Sequence, residues 1–105
     1  MTVVSNGRRQ PRMACNYPAS CEGARGRVRA ECTNLSLGGA FLDGAQLPVG
    51  SLTTVTISVP GNPSLTISAQ VRHHTISPRG MGVQFFRLEP AQVELLQTLC
   101  GSEES

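Results

Sequence analysis

The chain has 105 residues, 39% hydrophobic and 15% charged, enough for one modest core and too few for two. Its longest apolar run is only a few residues, which predicts no membrane-spanning helix and no membrane insertion; residues 1–10 lack the apolar stretch of a secretory signal, so the expected location is cytoplasmic. The net charge of +2 conceals an asymmetry: all nine cations are arginine, six of them in residues 1–29 against Glu22 alone, whereas residues 89–105 carry four glutamates and no cation.

Residues 1–11 show no periodicity and end in Gln10-Pro11, so they read as an arginine-bearing arm leading into a domain that spans residues 12–101. From Met13 the apolar residues alternate, with Met13, Cys15, Tyr17, Ala19 and Cys21 on one face, the period of a strand; Pro18 suggests an edge or a bulge. A turn at Gly23–Gly26 leads to a second alternating run, Arg27–Thr33, with Val28, Ala30 and Cys32 inward, and the two runs predict a hairpin. After Asn34–Gly39 comes a short strand, Ala40–Leu42. A longer one, Leu52–Val59, carries Val55, Ile57 and Val59 on one side. Pro60-Gly61-Asn62-Pro63 is a turn signal. Leu65, Ile67, Ala69 and Val71 then share a face. A loop containing Ser77-Pro78-Arg79-Gly80 precedes a last strand from Met81 to about Phe86, with Met81, Val83 and Phe85 in phase. The pattern is all-β: about six strands at regular spacing, as in a small closed barrel or a sandwich.

The period changes at the end. Pro90 fits a first helical turn, Val93, Leu95, Leu96, Leu99 and Cys100 follow at three- and four-residue steps, and Gly101 is a stop. Such a helix must cover something apolar, most simply an open end or face of the barrel. Residues 102–105 read as a tail. The four cysteines, Cys15, Cys21, Cys32 and Cys100, lack the spacing of a zinc half-site, and three of them fall in apolar strand phases; free thiols and no metal are expected. His73 and His74 alternate across a strand, so they do not form one site together and read as ordinary strand residues. No carboxylate pair, nucleophile elbow or phosphate loop is present, so neither catalysis nor a cofactor is expected.

Two clusters carry chemistry. Arg8, Arg9 and Arg12 concentrate positive charge on a segment too polar for a core, and arginine forks suit phosphates and guanine edges. Asn34-Leu35-Ser36-Leu37-Gly38-Gly39 sets an amide beside a hydroxyl at a strand end. Its glycines supply backbone freedom and room for a ligand to approach the main chain. The same turn also reads more simply, as an Asx or Ser turn capping a strand with Gly39 at positive φ.

Arg8-x-x-x-Arg12, then Asn34-x-Ser36-x-x-Gly39, then Gly80-Met81-Gly82-Val83-Gln84-Phe85 before a C-terminal helix, resemble the PilZ domain family over residues 8–100. The resemblance implies a six-stranded antiparallel β-barrel with a C-terminal α-helix that binds the bacterial second messenger cyclic di-GMP. It implies that the arm's arginines grip phosphates and a guanine Hoogsteen edge, that Asn34 and Ser36 bind other polar edges of guanine, and that Gly39 keeps the turn open. The arm would order on binding and signal to an unidentified protein partner or through self-association, for example as a homodimer. Gly7 stands where relatives that bind an intercalated ligand dimer tend to carry another arginine, so the resemblance leaves stoichiometry open. The runner-up is a protein–protein interaction module of the same fold that binds no nucleotide. A third reading, an RNA- or single-stranded-DNA-binding barrel, lacks aromatic platforms: Tyr17, Phe41, Phe85 and Phe86 are the whole supply.

Overall fold

The computed structural model describes residues 12–100. The arm expected at 1–11, with Arg8 and Arg9, the helix stop at Gly101 and the tail at 102–105 lie outside the described residues. Six strands, β1 (Arg12–Gly23), β2 (Gly26–Ser36), β3 (Gly39–Asp43), β4 (Leu52–Ile57), β5 (Leu65–Ile76) and β6 (Arg79–Phe85), are followed by one helix, α1 (Pro90–Cys100). Every pairing is antiparallel, and the order β1-β2-β3-β6-β5-β4 closes on itself, since β1 also pairs with β4. Closure leaves no free sheet edge, which resolves the choice between barrel and sandwich in favour of the barrel.

The alternation read along the chain is the alternation of burial. Cys21, Cys32, Val55, Ile57, Ile67, Val71 and Met81 are all fully buried, in one core inside the barrel. Thr53 shares that phase, and its hydroxyl donates to the Glu22 carbonyl and accepts from the Glu22 amide, so the buried polar group is satisfied. Helix α1 packs on β1 and β2 and inserts Leu96, fully buried, with Leu95, Leu99 and Cys100 half-buried around it. The covering role expected for the leucine-rich helix is thus performed against the first hairpin.

Several boundaries differ from the sequence reading. Strand β2 runs on to Ser36 rather than Thr33, so Asn34 and Ser36 sit on the strand and only Leu37 and Gly38 separate it from β3. The loop expected around Ser77–Gly80 is a tight turn of two residues, because β5 runs on to Ile76 and β6 starts at Arg79. The extension carries a bulge: Val71 faces Val83, but His73 faces Gly82, so Arg72 is an extra residue in β5. Strand β4 stops at Ile57 rather than Val59, although Val59 remains buried at 4% exposure. Two more bulges interrupt the ladders of β2, one on β1 between Ala14 and Tyr17 and one at Thr33 toward β3. Among the described residues no helix is long and apolar enough to cross a membrane.

Candidate functional site

The register of the first hairpin joins the two sequence clusters. Arg12 lies directly opposite Ser36, and Ala14 opposite Asn34, so the last arginine of the arm motif starts the strand that pairs with the polar turn. Arg12, Asn34, Ser36 and Gly39 all line one open groove of about 980 Å³ on the outside of the barrel. Four of the six residues singled out from sequence are therefore brought together; Arg8 and Arg9 fall outside the described residues.

Within the turn, each residue has a distinct physical task. The Ser36 hydroxyl accepts from the amides of Gly38 and Gly39, at 3.3 and 3.2 Å, and donates to the Gly39 carbonyl at 3.3 Å. It therefore holds the turn's backbone, the capping role of the simpler reading. Gly39 departs from the simpler of the two readings. Its φ is not positive. Glycine is required because β3 crosses β6 too closely there: a Cβ on residue 39 would collide with the Val83 carbonyl oxygen, with the carbonyl carbon only 3.3 Å away. Gly39 keeps strand against strand, and the turn stays where it is as a consequence.

Behind the turn, half-buried and buried thiols serve the bulged strand. Cys15 donates to the Cys32 carbonyl at 3.2 Å, Cys32 to the Asn34 carbonyl at 3.4 Å and Cys100, at the end of α1, to the Leu35 carbonyl at 3.3 Å. Burial pushes all three thiols above their ordinary value, Cys32 furthest, because the thiolate would lose its hydration and face neighbouring sulfur. Thiols, as donors, support the strand that carries Asn34; deprotonated, they would not. The described cysteines are free.

The groove also contains residues the sequence reading did not assign to it: Arg72 and His73 from β5 and Gln84 from β6. Arg72 donates to Gln84 Oε1 at 2.9 Å, which holds its guanidinium over the groove. His73, read as an ordinary strand residue, lines the groove, whereas His74 turns away and pairs with the Leu47 carbonyl. The two histidines do face opposite ways, but the bulge at Arg72 decides which of them faces the groove. The available signal was the run Arg72-His73-His74 at the end of an alternating strand, where polar residues replace the apolar phase.

A family model described as "PilZ domain" matches residues 6–102. The chain belongs to the PilZ family. This PilZ domain superposes on the PilZ domain with c-di-GMP of YcgR from Escherichia coli with a TM-score of 0.75 at 18% identity, covering 92% of this chain and 91% of that one. It also superposes on the Bacillus subtilis inhibitor of motility MotI/DgrA (TM-score 0.74, 17% identity, 91% of this chain and 50% of that one). The MrkH–c-di-GMP complex of K. pneumonia gives a TM-score of 0.67 at 18% identity, over 90% of this chain and 51% of that one. The PilZ domain thus spans about half the length of several of these chains, longer YcgR included. No curated protein is significantly similar in sequence.

Proposed function

We propose that this PilZ domain is a cyclic di-GMP receptor whose ligand lies in the groove between the β2–β3 turn and β5. The observation that carries the proposal is the pairing of Arg12 with Ser36, which puts a guanidinium suited to phosphate on the same groove as the Asn34 amide. The ligand is dianionic and carries two guanines; among the described residues that line the groove are Arg12 and Arg72 and no aspartate or glutamate. Arg12, with Arg8 and Arg9 of the preceding segment, suits the phosphates and the O6/N7 edge of a guanine, where a fork makes two parallel hydrogen bonds. Asn34 supplies a donor and an acceptor to the remaining base edge. The Ser36 hydroxyl acts chiefly through the turn it holds. Arg72, already oriented by Gln84, adds a second cation from the opposite wall. Ordering of residues 1–11 over the bound ligand supplies the signal, and a protein partner reads the changed surface. Three solved structures of this fold, YcgR, its PilZ domain and MrkH, are complexes with c-di-GMP, which supports the choice of ligand.

Calorimetric titration of the full chain with cyclic di-GMP tests the reading. Binding is expected, and Arg12→Ala and Asn34→Ala each weaken it by about ten- to a hundredfold, the worth of a lost bidentate contact. A folded protein that gives no heat with cyclic di-GMP excludes the receptor reading and leaves the nucleotide-free interaction module. Protection of residues 1–11 from amide exchange only when ligand is present would establish the ordering step; equal exchange in both states would remove it.

A further inference from the structure

Strand β6 breaks the alternation of the barrel: Gly80, Met81, Gly82 and Val83 are buried in succession. Met81 and Val83 point into the core, so the two glycines, on the outer face, should be open to solvent. They are covered instead by rings from both neighbouring strands. A Cβ on Gly80 would lie 2.6 Å from the Leu42 carbonyl oxygen of β3 and 2.6 and 2.8 Å from Cζ and Cε2 of Phe41 on the same strand. A Cβ on Gly82 would collide with the His73 ring of β5, with Nε2 at 2.7 Å and Nδ1 at 2.9 Å. Both rings line the groove, and His73 is itself exposed.

The position of His73 is a product of the Arg72 bulge. In unbroken alternation with Leu65, Ile67, Ala69 and Val71, His73 would face the core; the extra residue turns it onto the outer face, opposite Gly82. Glycine at 82 then leaves the ring a bed on the backbone that any Cβ would occupy. The β2 wall with Asn34 and the β5 wall with His73 are separated by β3 and β6, about 14 Å of sheet at the usual strand spacing. That span suits a ligand carrying two planar bases better than one carrying a single base.

Resting on the receptor reading above, we propose that the imidazole of His73, seated on Gly82 and flanked by Phe41, is a stacking platform for one guanine of the ligand. The platform contributes affinity through the face of the base, and the arginines and Asn34 contribute through its edges. A ring bedded on backbone before binding loses little freedom when the base arrives, so the contact is preorganised.

The test compares wild type, His73→Ala, His73→Trp and Gly82→Ala by cyclic di-GMP titration, with thermal melts to establish folding. His73→Ala is expected to melt as wild type and to bind roughly 5- to 150-fold more weakly, the range of base–aromatic stacking; His73→Trp should restore binding. Gly82→Ala, which displaces the ring without removing it, should weaken binding as well. The chain has two histidines, so the His73 ring protons can be assigned by difference and followed by NMR; stacking on guanine moves them upfield. If wild type and His73→Ala bind equally while Arg12→Ala is impaired, or the ring protons do not move, the platform is wrong and the receptor reading stands. If wild type itself does not bind, both fall.

Discussion

At the scale of single residues, the cysteines show how context decides chemistry. Cys32 has no exposed surface, and its thiol lies 3.8 Å from that of Cys15. Its acid dissociation is pushed above the ordinary thiol range chiefly by burial, with that sulfur adding to it. Because the folded state holds the proton more tightly than the unfolded chain, the associated stability is fully present below the unfolded value near 8.5 and is lost as pH rises beyond it. Denaturant midpoints are therefore expected to fall between pH 8 and pH 10, and to fall less steeply in Cys32→Ala than in wild type. Equal slopes would show that this thiol does not couple to folding. The cysteines were legible in sequence as inward-facing thiols; their service to the carbonyls of a bulged strand was not, because bulges are set by neighbouring strands.

At the scale of elements, the β2–β3 turn and strand β6 are one construction. Gly39 backs onto the Val83 carbonyl, and Gly80 and Gly82 accept the rings of Phe41 and His73. Glycines that look alike in sequence thus serve close backbone approach at Gly39, ring bedding at Gly82 and both at Gly80. Gly39→Ala forces β3 away from β6 and is expected to cost about 1–3 kcal/mol in chemical denaturation, as overpacking does. Loss of cyclic di-GMP binding should exceed that of an equally destabilising change on the far side of the barrel. A variant as stable as wild type would mean that the crossing relaxes freely. Polar turn and arginine cluster were both visible in the chain. The positive φ expected for Gly39 is not found, because a single strand carries no information about how closely another approaches it.

At the scale of the whole molecule, a ligand that bridges the β2–β3 turn and β5 ties together strands that are distant in sequence. Such a ligand binds only the closed barrel, so it should raise the melting temperature by mass action. At a hundredfold excess over its dissociation constant the gain is about 2.7 kcal/mol, or roughly 10–20 °C for a domain of this size. A melt unchanged by saturating ligand would contradict a site built across the sheet. Alternation with period two, punctuated by glycine and proline, determined from sequence alone that the chain forms about six strands with one apolar face each. Three- and four-residue spacing did the same for the terminal helix, and two short motifs carried the family. The closed barrel that the family resemblance implied is the one the strands form; the pairing of Arg12 with Ser36 and the choice of His73 over His74 for the groove were decided only by tertiary structure. The physical reason is shared: period two fixes which residues lie together on a face, but one bulge reverses the faces beyond it, and bulges follow from the fit between strands.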